Sequence, residues 1–148
     1  MKIVSLIPSA TEIISALNLS DNLVGVSHEC DYPKEVSKLP KLTTSKIKTE
    51  QSSLIIDHDI KKILEQSLSV YEVKSNLLKK LDPDVIITQS QCSVCAVSLK
   101  DVEECLSKFI NKKPLLIDLK PNTFQEVLKD INLVGKKLNK KVESNFLV

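Results

Sequence analysis

Two short segments hold the side chains best suited to chemistry: His28-Glu29-Cys30 and Gln91-Cys92-Ser93-Val94-Cys95. Three thiolates and one imidazole, from Cys30, Cys92, Cys95 and His28, would satisfy tetrahedral zinc or hold an iron–sulfur cluster. Cys92-x-x-Cys95 has the spacing of half such a site. Only one residue separates His28 from Cys30, which crowds two ligands of one ion. The Cys92–Cys95 pair also fits thiol redox chemistry, which works best where a helix N-terminus lowers a thiol pKa. The following helix is expected to begin a few residues later, near Ser98. In a third reading the cysteines are small hydrophobes packing a loop. Cys105 suits that reading best, because its helical phase points inward.

Other catalytic arrangements find less support. Ser9 stands at a strand-to-helix turn, but its spacing to Glu12 is that of a helix cap, and no glycine flanks it as in a nucleophile elbow. His28 could in principle serve as a base for Cys30 or Cys92, yet no carboxylate has an obvious role in orienting it, although Glu29 and Asp31 are near in sequence. His58 lies between two aspartates at a helix start and reads as a surface residue. The chain has two glycines, Gly25 and Gly135, so it has no glycine-rich phosphate loop.

The elements that must position these residues alternate. Lys2 to Leu6 suits a buried strand. Ser9-Ala10-Thr11-Glu12 has capping-box spacing and opens a helix through Ile13, Ile14 and Leu17. Leu23 to Ser27 reads as a second strand, with Gly25 marking a close backbone approach. Leu42 to Ser45 is expected to be a short third strand and Ser53 to Gln66 a helix. Val70 to Leu81 shows helical spacing through Val73, Leu77, Leu78 and Leu81 and ends at Asp82-Pro83-Asp84. Val85 to Thr88 and Leu115 to Leu119 read as strands, with a helix from Ser98 between them. Thr123, at capping-box spacing from Glu126, opens a last helix through Val127, Ile131, Val134 and Leu138.

Such alternation predicts an α/β domain in three layers, a mostly parallel sheet flanked by helices. Ligands of these sheets bind beyond the carboxyl ends of the strands. The loops of interest are therefore Pro8-Ser9, Ser27 to Pro33, Thr43 to Lys46, Gln89 to Cys95 and Lys120 to Thr123.

The chain has 148 residues, 42% apolar and 27% charged, with a net charge of +2. That suits one globular domain. Lys136, Lys137, Lys140 and Lys141 form the densest basic patch. No aromatic residue interleaves with it, so no nucleic-acid partner is expected. No stretch approaches the ~20 apolar residues that span a bilayer, so no membrane insertion is expected. Pro8 and Glu12 interrupt the apolar stretch after Lys2, and no cleavage signature follows. As written, the chain is expected in the cytoplasm. If an export signal has been removed, the expected place is the periplasm or cell surface.

Ile3-Val4-Ser5-Leu6-Ile7-Pro8-Ser9-Ala10-Thr11-Glu12, then Val24-Gly25-Val26-Ser27 with Asp31-Tyr32-Pro33, then Leu81-Asp82-Pro83-Asp84-Val85-Ile86-Ile87, together resemble the class III solute-binding proteins. His28 to Pro33 and Gln91 to Val97 are similar to the cobalamin-binding-protein-like subgroup. The resemblance runs from Met1 to about Gly135. It implies the N-terminal lobe of a two-lobed, non-enzymatic receptor, which holds its solute between the lobes and passes it to an ABC transporter permease. It implies cobalamin or a related metal chelate as ligand. The ligand wall would be Pro8, Ser9, His28, Tyr32, Thr44, Gln89, Gln91 and Cys92, with Tyr32 covering a planar ring system. It also implies a division at residue 121: the lobe is 1–121, and 122–148 begins an interlobe helix, cut short.

Overall fold

The computed structural model describes residues 1–47, 52–65, 70–90, 97, 99–109 and 113–148. Four strands, β1 (Ile3–Ser5), β2 (Leu23–Val26), β5 (Val85–Gln89) and β6 (Leu115–Leu119), form one sheet in the order β2-β1-β5-β6, and every neighbouring pair is parallel. Strands β3 (Thr43–Ser45) and β4 (Tyr71–Val73) form a separate antiparallel pair. The helices are α1 (Pro8–Ala16), α2 (Ser53–Glu65), α3 (Ser75–Leu81), α4 (Leu99–Phe109), α5 (Phe124–Lys137) and α6 (Lys141–Leu147). Among the described residues, no helix is long and apolar enough to cross a membrane.

The three layers follow from alternation along the strands. On one side of the sheet Ile3, Val85, Ile87 and Ile117 pack with Ile14 of α1, Leu17 just after it, Val134 of α5, and Leu138. On the other side Val4 and Ile86 pack with Leu42, Val73 of β4, Leu78 of α3 and Val102 of α4. Fully burying each such aliphatic side chain contributes about 1.5–3 kcal/mol before ordering costs. Gly25 is where β2 meets the second layer. A Cβ there would lie 2.7 Å from Leu42 Cδ1 and 2.9 Å from Leu81 Cδ1.

Two local expectations change and one holds. Pro8, whose fixed φ suits the first helical position, starts α1 one residue before Ser9; the cap position is Ile7, and no side chain caps it. The Ser9–Glu12 capping box therefore does not form. Residues 71–73 are strand, not helix. Val70, Val73, Leu77 and Leu78 mimic helical spacing, but the backbone of β4 is claimed by β3, and Lys74 N–H donates to Leu42 O at 2.8 Å. The Thr123 box forms in full: Glu126 N–H donates to the Thr123 hydroxyl, while Glu126 Oε2 accepts from the backbone of Asn122 and Thr123.

Beyond Thr123 the chain makes two helices. Asn139 takes a left-handed conformation (φ 58°), and Lys140 N–H donates to Gly135 O at 2.6 Å, turning the chain into α6. Gly135 lets α6 approach: a Cβ there would collide with Ser144 and lie 2.9 Å from Lys140 O.

The outer margin of β2 is occupied. Val26 N–H donates to Pro40 O at 3.0 Å, and Val26 O accepts from Leu42 N–H at 2.8 Å.

Candidate ligand-binding rim

Because β1, β2, β5 and β6 run the same way, their carboxyl ends open on one edge. Ile7-Pro8-Ser9 follows β1, Ser27-His28 follows β2, Gln89-Ser90 closes β5 and Lys120 follows β6. The winding reverses between β1 and β5, which is where open α/β sheets form a ligand crevice. The described parts of four of the five expected loops therefore share one rim; the fifth, Thr43 to Lys46, is not a strand-end loop of this sheet, since Thr43–Ser45 forms β3 of the antiparallel pair. Pro8 is partly buried and Ser9 exposed, Gln89 is partly buried, and Tyr32 is 64% exposed. Gln91, Cys92 and Cys95 lie outside the described residues.

His28 is held from several sides. Its Nδ1 lies 2.7 Å from Thr43 Oγ1, and its backbone N–H donates to the same oxygen at 3.0 Å. The Ser27 hydroxyl is 2.9 Å from Thr43 Oγ1. The ring meets Tyr71 edge-on, with centroids 5.1 Å apart. Tyr71 in turn donates to Glu29 Oε1 at 2.6 Å. Burial lowers the His28 pKa from its usual value; Lys74 and Lys41 push the same way and Glu29 opposes them. The Tyr71 phenol is pushed up to about 12 by burial and by its bond to Glu29. Burial thus favours the neutral ring of His28, and the Thr43 and Tyr71 contacts hold it in place.

Sequence reasoning chose Thr44 for this wall. The hydroxyl that meets His28 is that of Thr43, while Thr44, on the opposite face of β3, is exposed. Tyr71 was missed because its segment read as helix. Asp118 was also missed. It stands one residue before the end of β6 and holds the turn after β5: Ser90 N–H donates to Oδ1 at 2.8 Å, the Ser90 hydroxyl to Oδ2 at 2.6 Å, and Lys120 Nζ lies 3.1 Å from Oδ2. An acidic residue within an otherwise apolar strand, Leu-Leu-Ile-Asp-Leu, was the available signal.

Cys30 turns inward. It is 2% exposed within the α1-side core, its sulfur 3.1 Å from Thr11 Oγ1. Burial raises its thiol pKa, against the Thr11 contact, so it is a protonated thiol and a poor metal ligand at neutral pH. Among the described residues, no three His, Cys, Asp or Glu side chains come together to hold a metal ion. A groove of about 710 Å³ runs between α1 and α5, lined by Ser9, Ile13, Tyr32, Pro33, Val127 and Ile131 among others.

No protein-family model matches the chain. Among curated proteins it is 50% identical over 50 residues, 34% of this chain and 16% of the relative, to the uncharacterized ABC transporter substrate-binding lipoprotein YvrC of Bacillus subtilis. It is 30% identical over 97 residues, 57% of this chain and 36% of the relative, to a vitamin B12-binding protein of Vibrio vulnificus. Among solved structures, the periplasmic heme-binding protein RhuT of Roseiflexus sp. RS-1 matches 99% of this chain and 44% of its own, with a TM-score of 0.66 at 21% identity. The periplasmic vitamin B12-binding protein BtuF of Vibrio cholerae matches 98% and 46%, with a TM-score of 0.58 at 23% identity. The chain thus spans less than half the length of these relatives.

Proposed function

For a chain related to the substrate-binding proteins of ABC transporters and folded as one lobe of the class III periplasmic binding proteins, we propose that it forms one wall of a solute-binding cleft. The solute is cobalamin or a related metal chelate. The observation that carries this reading is the single rim onto which the parallel strands β2, β1, β5 and β6 all empty. Relatives named for vitamin B12 and heme support a planar metal macrocycle as the ligand class. In this reading Pro8, Ser9, His28, Tyr32, Gln89, Gln91 and Cys92 contact the solute, and Thr43 stands behind His28 in the place expected for Thr44. Tyr32, exposed beside the rim, covers the ring system. The chain does no chemistry on its ligand. Its partner is an ABC transporter permease, and its place is the extracytoplasmic side of a membrane, as for its lipoprotein and periplasmic relatives.

Titration of the chain with cyanocobalamin and with hemin, followed by absorbance and calorimetry, tests the proposal. Saturable binding of one macrocycle is expected. Tyr32→Ala should weaken it by about three- to tenfold, the equivalent of the about 0.5–1.5 kcal/mol that a specific aromatic contact contributes. No saturable binding of either macrocycle would overturn the reading.

A further inference from the structure

The hydroxyls around His28 fix which of its nitrogens carries the proton. Thr43 Oγ1 has one proton and two lone pairs. Three groups contact it: the His28 backbone N–H, the Ser27 hydroxyl and His28 Nδ1. The backbone N–H can only donate, so it takes one lone pair. The remaining lone pair and the proton are divided between Ser27 and Nδ1.

Two arrangements satisfy that division. In one, Nδ1–H donates to Thr43 and Thr43 donates to Ser27. The Ser27 proton then has no acceptor among the described residues, in a side chain only 3% exposed. In the other, Ser27 donates to Thr43 and Thr43 donates to Nδ1. The Ser27 oxygen still receives the Glu29 N–H at 3.4 Å. Every proton is then placed, and the cost of a buried donor left unpaired is avoided.

The second arrangement makes Nδ1 an acceptor, so the proton of the neutral ring sits on Nε2. That atom has no partner among the described residues and is not among the enclosed, unpartnered side-chain atoms. It is not fully enclosed, and His28 is only partly buried in a turn on the shared rim. Contact with Tyr71 and the bond from Nδ1 to Thr43 keep the ring from turning over.

We infer that His28 is a specificity-determining residue that presents a fixed Nε2–H donor to a hydrogen-bond acceptor on the bound solute, a carboxamide or carboxylate oxygen. This rests on the receptor reading above. A nitrogen so protonated offers no lone pair, so His28 binds the periphery of a chelate and leaves its metal alone.

Two measurements test this. Long-range nitrogen–proton correlation spectra of the full chain, above the His28 pKa, report the tautomer directly. They should show a protonated Nε2 and a bare Nδ1, and Thr43→Val should erase that preference while Thr43→Ser keeps it. A protonated Nδ1 in the unsubstituted chain overturns the inference. The second measurement is titration with cyanocobalamin, which carries peripheral carboxamides, and with aquocobalamin, whose axial water is exchangeable. His28→Ala should weaken both by about three- to tenfold, and His28→Gln, which keeps an N–H at similar reach, should recover most of the loss. An aquocobalamin band shift that His28→Ala abolishes would reveal cobalt coordination and refute the donor role. Unchanged affinity in His28→Ala would refute it too. If the unsubstituted chain binds neither corrin, the receptor reading falls and takes the solute half of this inference with it, while the nitrogen shifts still decide the tautomer.

Discussion

The phenol of Tyr71 reaches across from β4 and donates to Glu29 Oε1 at 2.6 Å, joining the small antiparallel pair to the turn that leaves β2. The main sheet and the β3–β4 pair share no strand. This side-chain bond adds to the backbone bonds between Val26 and Leu42 in holding the turn that carries His28 against the pair.

Tyr71→Phe removes the hydroxyl and leaves the ring against His28. Because the carboxylate is exposed, the loss in stability should be small, about 1 kcal/mol or less. The larger effect should be on the turn: amide exchange at residues 28–30 should speed up while that of β1 and β5 stays unchanged. Unaltered exchange at those three amides would mean that the bond does not hold the turn.

The pH response of His28 has a definite sign. Burial, the largest cause, holds its pKa below the usual 6.5. The fold therefore favours the neutral ring, and the unfolded chain binds the proton more readily. The associated stability is fully present above about pH 6.5 and declines as the pH falls through that value. Denaturant midpoints should drop more between about pH 7.5 and about pH 5 for the unsubstituted chain than for His28→Gln. Equal drops would show that the ring is not desolvated by the fold.

Two cap substitutions should separate. Thr123→Ala breaks the reciprocal bonds with Glu126 and should cost about 1 kcal/mol. Ser9→Ala removes a hydroxyl that caps nothing, because Pro8 already occupies the first helical position. It should change stability by no more than about 0.5 kcal/mol. Comparable losses from both, by chemical denaturation, would contradict the assigned start of α1.

Gly135→Ala forces a methyl into Ser144 and the carbonyl of Lys140. The backbone there has little room to give, so α6 should move off α5 at a cost of about 1–3 kcal/mol. Amide exchange at 141–147 should rise towards unprotected rates, with the central sheet unaffected. Retained protection across α6 would show that the helices pack less closely than described.

Much of this was legible in the residue order. The opening strand and the Thr123–Glu126 cap depend on neighbours within a few positions, and Gly25 betrays its close approach to the distant Leu42 and Leu81 by being a glycine inside a strand. What escaped depends on distant partners. Whether Thr43 or Thr44 faces His28 is a matter of strand parity, set by the pairing of residues 43–45 with 71–73. That pairing was hidden because Val70, Val73, Leu77 and Leu78 satisfy helical spacing as well as the observed strand followed by α3. Ser9 and Glu12 form a genuine local motif that Pro8 pre-empts. Asp118 stands out as the acid of an apolar strand, but its partner Ser90 is 28 residues away, and no local pattern names that partner.

The backbone groups that Val26 turns away from β1 are already engaged by Pro40 and Leu42. An unfinished strand edge is a template for edge-to-edge association between chains. At Val26 this domain has closed that template with a stretch of its own loop, and the proline there has no amide hydrogen with which to carry a ladder outward. A foreign strand approaching from that direction therefore meets a spent surface. On the main sheet, the margin left for strand-mediated association is β6.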